Sequence, residues 1–362
     1  MENFETNEQI VYRPLIFNSS SEREMGNFES ICAANHPSRN DLYNEQIADL
    51  AECCYPALKH GGTPTKELVE KMMAEGAMNP TDRWVYFPWK NAAARILDAK
   101  NFTICRTNRN KLKLTDEEQN ILGSKTILFV GLSVGQSAAY TFAMQRIGGH
   151  YHLADFDVLS LTNMNRLKAS ILDIGQLKTV IAARQIAEQD PYLEVECHHD
   201  GINAENLNKI LSSGKIDLIV EECDNVPMKF MVREKASALG IPVIMETSDR
   251  GVVDIERFDL EPGKLPFHGR LGDLTAAKLA SLSREEYFGV LATLVDYENI
   301  SPGLRESYAA FGKEVLTWPQ LGYEVTLGGA TLAFVATKIL LGKNMNSGRI
   351  YVDLEAVFKD LQ

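Results

Sequence analysis

The apolar run KTILFV leads into Gly131, Ser133, Gly135 and Gln136 of the segment GLSVGQ. A strand, a tight turn and a helix start in that order expose backbone N–H groups, and the helix dipole adds partial positive charge, so the turn suits an anion. Asp155 follows 24 residues after Gly131, where a carboxylate can accept hydrogen bonds from a ribose. Alone, these residues fit a nucleotide site or a glycine-rich turn with no ligand. The dehydrogenase fingerprint G-x-G-x-x-G is incomplete, with Ser133 and Gln136 at its second and third glycine places. The next stretch, DFDVLSLTNMNRL and then DIGQLK, supplies Asp157, Asn163, Asn165, Arg166 and Lys178, and the run IDLIVEECD ends in Asp224, followed by Asn225. Two cations, three amides and several carboxylates at strand ends suit a nucleoside triphosphate, with a carboxylate left to hold magnesium. A nicotinamide dinucleotide needs no such set.

Other chemistry-bearing residues are more isolated. Asp249 and Arg250, in METSDRG, follow a strand and are candidates for substrate contact; Arg250 is suited to pairing with a carboxylate, and a purely structural pair accounts for them equally well. His268 in PFHGR is a further substrate candidate, although a lone loop histidine is more often structural. His198 and His199 are neighbours on a strand, so they face opposite sides and do not share a metal. The cysteines at 32, 53, 54, 105, 197 and 223 form no C-x-x-C pair, so no zinc site is expected.

The elements that position these residues alternate. Apolar runs KTILFVG, HLADFD, LEVECHH, IDLIVEECD and IPVIMET are separated by the helical patterns SAAYTFAMQRI, KTVIAARQIAEQD and MKFMVREKASALG. Continuous apolar strands between helices imply an α/β fold with a doubly wound, Rossmann-like, mostly parallel sheet. GVVDIERFDL reads as a strand free to run antiparallel, since the strand-helix alternation stops before it; residues 273–295 read as an amphipathic helical insertion, TLGGATLAFVATKILLG as a helix and GRIYVDLE as a last strand. The first ~25 residues read as polar and frayed, and three- and four-residue apolar spacing gives helices between Asn40 and Ala77. WVYFPWKNAAARILDA reads as an aromatic segment running into another helix. The domains are therefore expected at 1–100, a mainly helical N-terminal extension, and 101–362, a nucleotide-binding domain with an insertion at about 260–315.

The chain has 362 residues, 45% hydrophobic and 24% charged, with a formal charge of −12. That balance excludes a disordered chain and argues against a nucleic-acid groove, which would be basic. The start MENFETNEQIVYRP lacks the pattern of a signal peptide, and no apolar window reaches the ~18 residues of a membrane span. A cytoplasmic protein that acts on neither nucleic acid nor membrane is expected.

Residues from about 103 to 353 resemble the ThiF/MoeB/ubiquitin-activating (E1-like) adenylyltransferase family. The family pattern D-x-D-x-V-x-x-S-N-L-x-R is answered by Asp155, Asp157, Asn163, Met164 and Arg166; D-I-G-x-x-K by Asp173, Ile174, Gly175 and Lys178; and the fourth-strand D-N by Asp224-Asn225. AARQIAEQDP, PQLGYEVTLGGATLA and the segment Arg106-Thr107-Asn108-Arg109-Asn110 answer three more family patterns. TNRNK, GLSVG, EECDN and METSDRG resemble a bacterial branch whose core is often joined to a nitroreductase-like module. The resemblance implies an ATP-dependent enzyme that activates a carboxylate, a protein C-terminus or a small acid, as its acyl-adenylate. It implies that Asp155 holds the ribose, that Asn163, Arg166, Lys178 and Arg109 bind phosphates, with Arg106 and Asp157 beside them, that Gly131, Ser133 and Gly135 line the turn, and that Asp224 holds Mg²⁺. It also implies a homodimer, with Arg109 reaching across it, and a ubiquitin-like or sulfur-carrier-like protein as one possible substrate. No cysteine follows Cys223, whereas ubiquitin-activating members keep a thioester nucleophile in a later loop; a covalent relay there is not expected. An NAD- or flavin-linked oxidoreductase and a catalytically idle nucleotide-binding scaffold are the competing readings.

Overall fold

The computed structural model describes residues 11–213, 216–279 and 281–361. The chain divides into two compact units, the first made of residues up to 119 together with 186–192, the second of 120–185 and 193–362.

In the first unit, strand β1 (Leu15–Asn18) is followed by helix α1 (Glu22–Asn35), β2 (Ser38–Asp41) and α2 (Tyr43–Cys54). Then come α3 (Pro56–His60), α4 (Thr65–Glu75), β3 (Asp82–Phe87), β4 (Ala92–Leu97) and α5 (Ala99–Thr107). The four strands form one sheet in the order β1-β3-β4-β2. Two expectations are corrected here. Residues 15–25 are ordered, because Phe17 on β1 packs against Phe28 of α1, which stacks on Trp84 of β3 at 4.9 Å between centroids. AAARIL forms β4 rather than a helix: Ala92–Leu97 pairs with β3 on one side and β2 on the other, and that tertiary pairing overrides the helical preference of alanine. Ile47, Leu50, Leu68, Met72 and Leu97 form the core beneath α2 and α4.

Helix α6 (Asp116–Gly123), which starts in the first unit, leads into the second with β5 (Thr126–Val130), α7 (Gly135–Gln145), β6 (His150–Ala154), α8 (Lys178–Gln189), whose last residues belong to the first unit, and β7 (Glu194–His198). There follow α9 (Ala204–Ser213), β8 (Leu218–Glu221), α10 (Val226–Leu239), β9 (Val243–Glu246) and β10 (Val252–Glu256). Helices α11 (Ala276–Leu279), α12 (Arg284–Val295) and α13 (Pro302–Ala310) precede α14 (Gly322–Leu340), β11 (Gly348–Tyr351) and α15 (Leu354–Val357). The seven strands run in the order β11-β10-β9-β8-β5-β6-β7. Strands β5 to β9 are mutually parallel; β10 is antiparallel to β9, and β11 to β10. The sheet is thus the expected mostly parallel α/β layer. Leu128, Val130, Ile219 and Val243 meet Leu207, Val232 and Ala236 in one core, and Phe230, Phe267, Leu279, Val290 and Leu294 form another under the strand-free segment.

After β5 the chain proceeds to β6 on one side, and after β7 it returns to β8 on the other. The order therefore reverses between β5 and β8, the point where open α/β sheets leave a crevice beyond their carboxyl ends.

Candidate nucleotide site

At that crevice Gly131 ends β5 with φ +88°. Its N–H donates to the Ala154 carbonyl at 2.8 Å, and Glu222 N–H donates to the Val130 carbonyl at 2.7 Å. A Cβ at position 131 would stand 2.8 Å from Cys223 N and from the carbonyl C and O of Glu222. Glycine is required there by conformation and by space together.

Asp155 is buried and braces the turn. One carboxylate oxygen accepts Leu132 N–H at 2.6 Å and the other accepts Asp157 N–H at 2.7 Å. Burial raises its pKa, and Lys178 works in the opposite direction. Lys178 is itself buried at the start of α8; its Nζ donates to Asp157 Oδ2 at 2.7 Å. Asp155, Asp157 and Lys178 thus form one charged cluster at the end of β6.

Arg166 comes from the loop after β6. Its Nη2 donates to Ser133 Oγ at 3.3 Å and its Nη1 to Asn165 Oδ1 at 2.9 Å. Burial lowers its pKa, while Asp224 raises it, which puts the exposed Asp224 carboxylate of the β8 end within electrostatic range. Arg166 Nε is buried without a hydrogen-bond partner. A guanidinium N–H shielded from water and left unpaired costs free energy. Gln136, the residue in the third glycine place, explains how this loop is held. Its amide accepts Lys168 N–H at 3.1 Å and donates to the Lys168 carbonyl at 2.9 Å. Sequence reasoning gave Gln136 no role beyond a departure from the glycine pattern; a buried amide on the first turn of α7 was the signal. Asn163 uses its amide oxygen to accept Ser160 N–H at 3.1 Å, capping the turn just before Arg166.

Buried carboxyls beneath the site were also missed. Glu221 and Glu222 end an otherwise apolar strand, and that pairing was their sequence signal. Glu221 is fully buried; it accepts Arg233 Nη1 at 2.5 Å and Lys229 Nζ at 3.2 Å. Burial opposes its ionisation, but the two cations prevail and pull its pKa down to about 2. Arg233 also donates to Glu256 at 2.5 Å. Glu222 accepts Glu246 N–H at 2.8 Å, and Glu246 accepts Ser248 N–H at 2.6 Å. Burial first, then the neighbouring carboxyl, pushes Glu222 well above the usual range, and burial raises Glu246 to about 8. A side chain at Gly328 of α14 would collide with the Glu246 carboxyl. Cys223, just after these glutamates, has its pKa raised by burial and by Glu221, so its thiol is not an activated nucleophile.

The remaining candidates are held elsewhere. Asp249 accepts both the N–H and the hydroxyl of Ser301, at 2.9 and 2.6 Å, which ties α13 to the end of β9. Arg250 donates to Asp353 Oδ2 at 2.8 Å and to the Asn299 carbonyl at 2.5 Å. The two do not pair with each other. His268 is 2.8 Å from the buried Asp254 carboxylate, which Arg349 also grips. In the first unit, Arg106 Nε lies 3.6 Å from buried Asp190, and Arg109 is exposed on the short turn Asn108–Asn110.

The model of the ThiF family matches residues 107–348. The chain belongs to the ThiF family. An uncharacterised protein of Mycobacterium tuberculosis is 40% identical over 279 residues, 77% of this chain and 39% of the relative; the chain thus spans well under half of that relative. The molybdopterin-synthase adenylyltransferase of Haemophilus influenzae is 25% identical over 181 residues, 50% of this chain and 72% of that protein. Among solved structures, Escherichia coli MccB with AMPCPP and MccA aligns over 85% of this chain and 83% of its own with TM-score 0.50 and 15% identity, a likeness of fold alone.

Proposed function

We propose that this ThiF-family chain binds ATP at the β5–β8 crevice and transfers its adenylyl group to a carboxylate. The observation that carries the reading is the buried, unpartnered Nε of Arg166, held over the Gly131–Gly135 turn by Ser133 and Asn165. The adenylyltransferase among its relatives supports the same reaction class. A carboxylate oxygen attacks the α-phosphorus, the bond from that phosphorus to the bridging oxygen breaks, and pyrophosphate leaves with the electron pair. Such chemistry rests on positioning and charge stabilisation. Arg166 and the turn N–H groups hold phosphate oxygens. Asp155 keeps a second lone pair on each oxygen for ribose hydroxyls, and Lys178 pairs with Asp157 and opposes the rise that burial imposes on the Asp155 pKa. Asp224 offers an exposed carboxylate, a hard oxygen donor that suits Mg²⁺; the ion would neutralise charge on the leaving pyrophosphate. The adenylate passes to an external nucleophile, since Cys223 is not activated.

A ubiquitin-like or sulfur-carrier-like C-terminus is the proposed carboxylate, with a small acid as its alternative. A homodimer in which exposed Arg109 reaches the nucleotide of a second copy completes the site. Among the described residues no helix is long and apolar enough to cross a membrane, in keeping with the proposed cytoplasmic location. Calorimetry with ATP·Mg, NAD(H) and FAD, followed by pyrophosphate exchange with candidate carboxylates, tests the reading. Binding of ATP·Mg that Arg166→Ala and Asp224→Ala weaken supports it. An intact protein that binds NAD(H) or FAD and not ATP is an oxidoreductase instead; one that binds ATP but exchanges no pyrophosphate with any carboxylate is a scaffold.

A further inference from the structure

The sequence His150-Tyr151-His152 opens β6. Alternate residues of a strand face the same side, so the two imidazoles share one face; their ring centroids are 4.6 Å apart. β7, the edge strand, runs parallel beside β6 with His152 opposite Glu196 and Ala154 opposite His198. Strands paired in register put opposite residues on a common face. Glu196 therefore joins the two histidines, its Oε2 3.8 Å from His152 Nδ1. One donor atom from each of His150, His152 and Glu196 lies within 4.8 Å of the others. His198 Nε2 is 3.0 Å from the same His152 nitrogen, a hydrogen-bond distance that fixes the His152 ring. His199 faces the other side and meets Thr179 Oγ1 at 2.8 Å.

We propose that His150, His152 and Glu196 bind a divalent first-row transition metal. Two imidazoles and one carboxylate are borderline donors suited to zinc, cobalt, nickel or iron(II) rather than magnesium. The donor set contains no thiolate, which is why cysteine spacing gave no sign of it. His152 is almost fully covered while Glu196 is half exposed, so the cluster is anchored on its inner side and reachable from solvent on the other. His150 and His152 start β6 whereas Asp155 follows its end, so the site is separate from the nucleotide crevice. A metal here would clamp the edge strand β7 to β6.

The test is calorimetric titration of the chelator-treated full chain with Zn²⁺ and, separately, with Co²⁺ followed by visible absorption. No nucleotide or Mg²⁺ is present, so the outcome is independent of adenylation. One saturable equivalent of Zn²⁺, a Co²⁺ d–d spectrum and a rise in melting temperature on Zn²⁺ addition are expected. Glu196→Gln and His150→Gln, both outside the core, are expected to weaken Zn²⁺ binding at least tenfold, and His199→Gln to leave it unchanged. Absence of saturable binding, or Glu196→Gln and His150→Gln binding as tightly as the parent, overturns the proposal. Far-UV circular dichroism of each variant confirms that a loss is local.

Discussion

Gly131 and Gly175 allow the cost of a close backbone approach to be isolated. Both have φ +88°, and both lie in the second unit. Around Gly175 an added Cβ meets nothing within 4 Å, whereas at Gly131 it would stand 2.8 Å from three backbone atoms of Glu222 and Cys223. Replacing either by alanine costs about 1–2 kcal/mol for the left-handed backbone. It also regains about 0.4–1 kcal/mol from a more restricted unfolded chain. These contributions cancel in the difference. Gly131→Ala carries in addition a steric cost that no side-chain rotation relieves, because the crowded atoms belong to the backbone; overpacking of this kind costs about 1–3 kcal/mol. Urea unfolding followed by far-UV circular dichroism should therefore place Gly131→Ala about 1–3 kcal/mol below Gly175→Ala. ATP binding should fall in the first variant and persist in the second. Equal stability losses would refute the argument that β5 and β8 approach too closely for any side chain at 131.

Arg166→Ala should lower ATP·Mg affinity at least tenfold in calorimetry while changing unfolding free energy by less than about 1 kcal/mol, since it removes a half-buried charge with few partners. Arg233→Met should cost about 3–5 kcal/mol in urea unfolding, because Glu221 and Glu256 lose the cation they share. The folded-state pKa of Glu221 is lowered to about 2. Its contribution is present above the unfolded value near 4.3 and is lost as pH falls through about 2, so acid titration of stability should show that loss in the parent and much less of it in Glu221→Gln. Glu246 has the opposite sign. Its folded-state pKa is raised to about 8, so its contribution is complete below about 4.3 and declines as pH rises through 8. Glu246→Gln should flatten that alkaline decline, and an unchanged profile would count against a protonated carboxyl at this place.

The legibility of this fold in the sequence followed burial. TILFV, and LIVE and VIME up to their closing glutamates, are buried on both faces, so they read as apolar runs. SRND is a strand with every residue exposed, held by pairing with β4 and by the ion pair of Arg39 with Glu29 of α1, and its composition signals a turn. The alanines of β4 carry a helical signal that pairing overrides. In the site, Gly131, Asp155, Asp157, Arg166 and Lys178 stood out because their chemistry is unusual at strand ends. Glu221, Glu222 and Glu246 did not, because a buried carboxyl is recognised only by what surrounds it. Asp249, Arg250 and His268 looked reactive in isolation; Ser301, Asp353 and Asp254, distant in sequence, are the partners that occupy them.

Helix α14 lies against α7, where Gly329 leaves no room for a Cβ beside Ser137. Gln145 donates to Thr337 Oγ1 at 3.1 Å across a sequence separation of 192 residues. At ~5–20 residues per second, a ribosome needs ~10–40 s to produce the second helix after the first. Through that interval the face of α7 that α14 covers, the one carrying Ser137 and Gln145, waits without its cover while the strands beside it emerge. Contacts of such long range also slow folding after release. Variants that weaken the α7–α14 seam should therefore reduce soluble yield at high expression more than they reduce equilibrium stability, and a chaperone that shields nascent apolar surface should restore it.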